Sequence, residues 1–173
     1  MAAGSTYTPI ATSTLGSAQA TVTFTSISQS YTDLVLMCAG QNATGDGQQG
    51  NLTFNGDTGT NYSLTQVSGS PPYTYSARTT NGNALYLGYN QAWSTVANSP
   101  GIYYVNIMNY SNTTTYKTVL ERAGYASGTY AGTEAIVGLW RNTNAITSIS
   151  IVVNASGTFA AGSTFTLYGI AAA

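Results

Sequence analysis

Residues 135–170 read AIVGLWRNTNAITSISIVVNASGTFAAGSTFTLYGI, and this stretch decides the fold. It contains three runs in which side chains alternate with a period of two, the pattern of half-buried β-strands. In the middle run, Ile149, Ile151 and Val153 share one face, and serines lie on the other. The breaks between the runs consist largely of Asn, Ser, Gly and Thr, the residues that turn a chain most easily. Because strands with an apolar face need a second layer to cover it, the stretch predicts an all-β fold, an antiparallel two-sheet β-sandwich.

The rest of the chain continues this pattern and shows no convincing helical period. Strand-like runs are predicted at 20–25, 34–39, 52–55, 62–67, 84–89, 101–110 and 116–123. In the last of these runs, we expect Val119 to face the core and Lys117, Glu121 and Arg122 to face water. Turn-rich or irregular segments are predicted as loops at 41–50, 68–82, 90–100 and 124–132. The total of about eight to ten short strands is typical of a sandwich or jelly roll, here a single domain over 20–173.

The N-terminal segment, residues 1–19, has no period of its own. Pro9 restricts the residue before it to extended geometry, so an extended arm is predicted. Its larger side chains, Tyr7, Pro9 and Ile10, are candidate contacts with a neighbouring subunit or another protein. A loosely packed terminus remains the alternative.

The chain is unusually poor in charge, with 5% charged residues against about a quarter in an average domain. A surface with so little charge is poorly protected against association, which favours a place inside an assembly. Alternatively, Ser, Thr and Asn could keep a monomer soluble. The net charge of −1 gives no basic surface for nucleic acid. No apolar run is long enough for a membrane span, and the N-terminus lacks the features of a secretory signal.

Residues for catalysis are scarce. The absence of His removes the usual general base, the commonest metal ligand and any Ser-His or Cys-His pair. Cys38 lies in an apolar run, which predicts a buried, unreactive thiol. Only five carboxylates are available for acid–base work. We therefore expect a protein that is not an enzyme and carries no cofactor.

One group of oxygen-bearing side chains could bind Ca²⁺, namely Asp46, Asn51, Asn55 and Asp57. Their spacing matches no known calcium loop. All four residues also suit tight turns, which accounts for them without a metal. Both interpretations stay open, and no metal ligand is assigned.

Several short segments together resemble one group of proteins: YTPIAT at 7–12, SYTDLVL at 30–36, FNGD at 54–57, NYS at 61–63, WRN at 140–142 and YGI at 168–170. The chain resembles small structural proteins of tailed bacteriophages, of the head-decoration (cement) and the tail-fibre or receptor-binding type. This resemblance implies a jelly-roll β-sandwich, usually trimeric, that is incorporated in the virion. It carries over no catalytic residue.

Two functions follow as hypotheses. The first is a capsid decoration protein, a homotrimer that binds the major capsid protein in the assembled head and stabilises it by mass action. The alternative is an adhesin of the tail, whose loops present Tyr73, Tyr75 and Trp93 to bacterial surface glycans, since aromatic rings offer rigid contact area. Packing in the core or between subunits is the favoured alternative for these three aromatics. A lectin-like module outside any virus is a weaker third hypothesis.

Overall fold

The computed structural model describes residues 6–45, 47–89, 93–127 and 130–171. In this part of the chain there are fourteen β-strands and a single short 3₁₀ turn, Asn154–Ser156. The strands form antiparallel sheets packed as a sandwich, which confirms the predicted all-β fold. The jelly-roll variant stays a prediction. None of the described residues forms a helix of the length and apolarity that a membrane crossing requires.

The strands are β1 (Tyr7–Thr14), β2 (Thr21–Phe24), β3 (Asp33–Gly40), β4 (Asn42–Thr44), β5 (Gly50–Phe54), β6 (Tyr62–Ser70), β7 (Tyr73–Gly82), β8 (Leu85–Leu87), β9 (Gly101–Ile107), β10 (Lys117–Ser127), β11 (Tyr130–Trp140), β12 (Ile149–Val153), β13 (Thr158–Phe159) and β14 (Thr164–Ile170). An eight-stranded sheet has the order β1-β14-β3-β9-β10-β11-β6-β7. A four-stranded sheet has the order β2-β12-β5-β8, and β13 pairs with β4. The larger sheet therefore has twice as many strands as the four-stranded sheet that packs against it.

The core forms where the inward residues of the two sheets meet. Ile149, Ile151 and Val153 of β12 are buried, as their alternation predicts. β3 contains the strand predicted at 34–39 and lies inside the larger sheet between β14 and β9, which suits its many apolar residues. Because the inward side chains of the facing strands pack between the two layers, their apolar surface leaves water, the main stabilising contribution in a fold of this kind.

Two aromatic clusters occupy the core. The Trp93 ring stacks on Tyr103 with 4.1 Å between ring centroids, and the edge of Phe159 packs against it at 4.8 Å. A second cluster joins Trp140 to Phe54 at 5.4 Å and to Tyr62 at 6.4 Å. These large rings fill the space between the sheets towards either end of the strands.

Two predicted loops are instead long β-hairpins. In the segment 68–82, β6 continues to Ser70, the chain turns at Pro71 and Pro72, and β7 begins at Tyr73. In the segment 124–132, β10 continues to Ser127 and β11 begins at Tyr130. Side chains near these hairpin ends are largely exposed, so neither face of the strands requires apolar residues. The alternation of apolar and polar residues that marks a half-buried strand is therefore missing from these segments of the sequence. These extensions, with several short pairings, raise the strand number above the predicted eight to ten.

The N-terminal segment is extended, as predicted, but it is not an arm outside the domain. β1 forms the edge of the larger sheet and pairs with β14 from Tyr7 opposite Ile170 to Thr14 opposite Thr164. Residues 1–5 of the predicted arm lie outside the described residues. The predicted loop 41–50 also contains strand, since β4 pairs with β13.

The charged residues of β10 differ from the prediction. Val119 faces the core as expected, but Lys117 and Glu121 are buried as well, and Arg122 is exposed. Positions 117, 119 and 121 share a face because strand side chains alternate. The Nζ of Lys117 is satisfied by the backbone oxygens of Thr115 and Thr143, at 2.8 and 3.1 Å. The two-residue alternation of side chains along β10, and not their charge, therefore decides which face of the strand they lie on.

Candidate interaction surface

The outer faces of the two sheets differ in chemistry. The four-stranded sheet presents mainly hydroxyl-bearing side chains, including Thr21, Thr23 and Ser150, and the last two are hydrogen-bonded across strands at 3.1 Å. The eight-stranded sheet exposes large apolar side chains instead. Exposed apolar groups that are contiguous mark interaction sites more often than scattered ones do. The larger sheet is therefore the candidate interaction surface.

The centre of this surface is an outer apolar patch made of Val67, Leu120, Ala135 and Val137. Leu120 pairs with Val137 across β10 and β11, and Ala135 pairs with Val67 across β11 and β6. Val67 and Val137 are 56% and 53% exposed. The patch surrounds a surface concavity of about 390 Å³. Cross-strand pairing thus places four apolar side chains side by side on a shallow, open surface.

These four residues were not among the sites predicted from the sequence. The sequence does contain a signal for the patch, because β11 carries apolar residues on both of its faces. Val137 and Leu139 lie on one face, and Ile136 and Trp140 lie on the other. A strand that is apolar on both faces is normally covered on both faces. Here the outward face of β11 has no covering layer among the described residues.

An aromatic and cationic group flanks the patch. The Arg122 guanidinium carbon lies 5.0 Å from the centre of the Tyr104 ring, within range of a cation–π interaction. The hydroxyl oxygens of Tyr104 and Tyr7 are 2.7 Å apart and share a hydrogen bond. Partial burial and this hydrogen bond raise the pKa of Tyr104 above its ordinary value, and the charge of Arg122 lowers it in part. Two positive charges thus lie beside the patch: Arg122, which is held over the Tyr104 ring, and Arg78, which lines a concavity together with Val137.

The predicted contact residues of the N-terminal segment lie on β1. Tyr7 is exposed and packs edge-on against Tyr168, with 6.0 Å between ring centroids. Pro9 is exposed and pairs with Tyr168, and Ile10 packs partly buried against the core. Tyr7 therefore joins the flank of the candidate surface, whereas Ile10 contributes to the fold of its own chain. Their contact with a subunit or capsid stays a prediction.

The structure separates the three predicted recognition aromatics. Tyr73 and Tyr75 lie on β7 and are 74% and 47% exposed. Tyr75 lines a concavity of about 470 Å³ near the end of the β6–β7 hairpin. In the neighbouring β10–β11 hairpin, the rings of Tyr125 and Tyr130 lie 5.0 Å apart. Tyrosines are thus concentrated at the ends of two adjacent hairpins.

The prediction for Trp93 as a surface recognition residue is wrong. Its side chain is fully buried in the aromatic core, and no part of it reaches solvent. A large ring surrounded by Tyr103, Phe159 and Phe165 gains more from leaving water than it could on a loop. Residues 90–92 of the same predicted loop lie outside the described residues.

Turns account for Asn55 and Asp57 of the possible calcium group, whereas Asn51 lies in β5 with a buried side-chain oxygen that has no hydrogen-bond partner. The Asp57 carboxylate accepts hydrogen bonds from Trp140 Nε1 at 2.7 Å, Asn61 Nδ2 at 2.9 Å and Gly59 N at 2.9 Å. Burial raises the pKa of Asp57, but these hydrogen bonds outweigh it and hold the pKa below its ordinary value. The side-chain amide of Asn55 forms hydrogen bonds with backbone groups of the segment 145–148. Asp46 lies outside the described residues. Turn formation thus accounts for Asn55 and Asp57 without a metal.

Other ionisable groups lie inside the sandwich. Cys38 is buried, as predicted, and burial raises the pKa of its thiol, with a smaller contribution from Glu121. Burial also raises the pKa of Glu121 well above its ordinary value, and Glu134 adds to this. The described residues contain no group of three or more His, Cys, Asp or Glu that could hold a metal ion by themselves.

Comparison with known proteins adds no relative to this description. The chain matches no protein-family model, no curated protein and no solved structure.

Proposed function

We propose that this chain is a structural protein of a tailed-bacteriophage virion, a non-enzymatic capsid decoration (cement) protein. In this role it binds the major capsid protein in the assembled head as a homotrimer and stabilises the shell. The observation that carries the proposal is the outer apolar patch on a sheet whose opposite layer is polar outside. A protein that binds only the assembled shell stabilises it by mass action, without any catalytic group.

The size of the sheet supports this role. Eight strands spaced about 4.8 Å apart and about nine residues long cover roughly 1,100 Å². Each partner in a stable protein interface contributes about 800 Å². The outer face of the sheet therefore offers enough area for a specific contact. The low charge density also suits an interface core, where charged residues are depleted.

A co-sedimentation experiment tests the proposal. Expanded heads that lack this protein are mixed with the purified chain and pelleted. We expect the wild-type chain to pellet with heads and Val137→Asp to remain in the supernatant, because a charge at the patch must be desolvated on binding. Thr21→Asp places the same charge on the polar outer face and should pellet like the wild type. Failure of the wild type to bind heads, or equal binding by Val137→Asp, contradicts the proposal.

A second candidate is an adhesin of the phage tail that binds bacterial surface glycans. The observation that favours it is the exposure of Tyr73 and Tyr75 beside the Tyr125–Tyr130 pair. Its test is adsorption of particles to host cells after Tyr73→Ala and Tyr75→Ala. Tyr116→Ala removes another exposed ring, away from these hairpin ends, and is the matched control. Adsorption that falls only in the first two variants supports an adhesin, and unchanged adsorption excludes this site.

A further inference from the structure

The sequence contains two Asn-Gly dipeptides, Asn55-Gly56 and Asn81-Gly82. In both, the asparagine is exposed and has a left-handed backbone, with φ of 53° at position 55 and 57° at position 81. Asparagine adopts this conformation more readily than most residues do. The two sites thus share their sequence, their exposure and the backbone conformation of the asparagine, and they differ in the hydrogen bonds of the asparagine side chain.

The side-chain amide of Asn55 is held at both of its ends. Its Nδ2 donates to the backbone oxygen of Ala145 at 2.8 Å. Its Oδ1 accepts hydrogen bonds from the backbone N–H groups of Thr147 and Ser148 at 2.8 and 3.1 Å. Because any rotation of this amide would break these hydrogen bonds together, the fold keeps Asn55 in one orientation.

The side-chain amide of Asn81 is held at one end only, and by a cation. Its Oδ1 accepts a hydrogen bond from Nη2 of Arg141 at 2.9 Å, and its Nδ2 has no partner among the residues that the structure describes. The guanidinium is itself anchored, because it also donates to the backbone oxygen of Thr60 and to Oγ of Ser63. A fixed positive charge therefore lies against the carbonyl oxygen of an amide that can still rotate.

The backbone at Asn81 departs from regular strand pairing. The register of β7 against β6 shifts between Tyr62 and Leu64, so residues 80 and 81 of β7 lie opposite Ser63 alone. Such a β-bulge leaves one residue unpaired and disrupts the ladder locally. The next residue, Gly82, has no Cβ to hinder the approach of its backbone nitrogen to the Asn81 side chain. The covalent chain thus holds this nitrogen beside the amide carbon, an arrangement that favours an intramolecular reaction.

We propose that Asn81 is a site of spontaneous deamidation, promoted by Arg141 and selected by the fold over Asn55. The backbone nitrogen of Gly82 loses its proton to solvent and attacks Cγ of Asn81, and the new C–N bond closes a succinimide ring. The Cγ–Nδ2 bond breaks as Nδ2 takes up a proton and leaves as ammonia. Water then opens the ring to aspartate or isoaspartate. Negative charge develops on Oδ1 as the ring closes, and the Arg141 guanidinium stabilises it there.

The product of this reaction suits its surroundings. A carboxylate at position 81 would exchange a hydrogen bond to a neutral amide for an ion pair with Arg141, the stronger of the two contacts. It would also add one negative charge to a chain whose net charge is −1. Deamidation would therefore fasten the end of β7 to the residue that follows β11 and change the charge at one edge of the larger sheet.

The first experiment follows both sites in one protein. The purified full chain is incubated at mildly alkaline pH, which assists the loss of the backbone proton, and is then digested with trypsin. Cleavage after Arg78 places Asn55 and Asn81 on separate peptides, and mass spectrometry measures the conversion of amide to acid on each. In the folded protein we expect Asn81 to convert on the order of tenfold faster than Asn55. In denaturant, where both amides are released, the two rates should be similar.

Two variants separate the contributions of the neighbours. A Cβ at Gly82 would lie 3.4 Å from its nearest atoms, an ordinary contact, so Gly82→Ala should keep the fold and slow conversion at Asn81 on the order of tenfold. Arg141→Gln removes the cation and should slow it several-fold, with Asn55 unchanged.

The outcomes decide the proposal in either direction. Equal rates at Asn55 and Asn81 in the folded protein, or no conversion at either, overturn it. An unchanged rate in Arg141→Gln overturns the part assigned to Arg141. The comparison of the two sites in the wild type decides even where a variant fails to fold, and the inference does not depend on the proposed function.

Discussion

Single residues of the same chemical type have opposite roles in this protein, and the aromatic side chains show it best. Trp93 is fully buried against Tyr103, whereas Tyr73 is mostly exposed. Trp93→Ala should lower the free energy of unfolding by about 3–5 kcal/mol, because it leaves a large cavity. Tyr73→Ala should change it by less than about 0.5 kcal/mol. Chemical denaturation of both variants checks this, and a mild effect of Trp93→Ala would contradict the burial described above.

Asp57 gives the protein a specific acid sensitivity. Its hydrogen bonds from Trp140, Asn61 and Gly59 hold the folded-state pKa below the ordinary value of 3.8. A lowered folded-state pKa means that the ionised carboxylate stabilises the fold above the ordinary value and that this stabilisation is lost as the pH falls further. We expect the Tm of the wild type to fall below about pH 4. The Tm of Asp57→Asn should fall less steeply over the same pH range.

The control for this measurement is Asp33→Asn, which removes an equal charge from the first residue of β3 and should keep the wild-type steepness. Thermal unfolding followed by circular dichroism at a series of pH values distinguishes the three proteins. Identical pH profiles for the wild type and Asp57→Asn would show that the carboxylate contributes nothing specific.

Strands of the sheet also differ in how closely other strands pack against them, and glycines in β11 and β6 show this difference. A Cβ added at Gly138 of β11 would lie 2.8 Å from Leu85 of β8. Gly138→Ala should therefore lower the free energy of unfolding by about 1–3 kcal/mol through overpacking. A Cβ at Gly69 of β6 would meet nothing within 4 Å. Gly69→Ala should leave stability unchanged or raise it slightly, because Ala loses less backbone entropy than Gly. Equal effects in denaturant titrations would contradict the close approach of β8 to β11.

Elements with one buried face could be predicted from the sequence. The residues 135–170 indicated three strands, and β11, β12 and β14 lie there, because each buries every second residue. Elements without that constraint could not be predicted. β7 and the end of β10 are held by backbone pairing while their side chains stay largely in water, so they leave no period in the sequence.

The candidate surface was harder to predict than the fold for a related reason. An apolar residue that faces outward, such as Val137, has the same sequence signal as one that faces the core. Only the pairing of Leu120 with Val137 and of Ala135 with Val67 reveals that four of them lie together. The buried carboxyl of Glu121 was assigned to water because its charge was weighted above its place in the alternation with Val119.

At the scale of the whole molecule, the low charge sets how copies or partners associate. Association through the outer apolar patch should be largely insensitive to salt, because charges contribute little to it. We expect the purified chain to pellet with heads to the same extent from low ionic strength to about 0.5 M salt. Head binding that salt abolishes would point to the arginines and carboxylates instead.

The pairing of the first strand with the last has a consequence during synthesis. β14 lies between β1 and β3 in the sheet, yet it is the last of the described strands to leave the ribosome. Until then β1 has no neighbour and one edge of β3 is open, so the larger sheet closes only after Ile170 has been synthesised. Open strand edges are templates for pairing with other chains. A ribosome stalled before Thr164 would hold such a template, and chains growing side by side on one messenger would be the first to meet it.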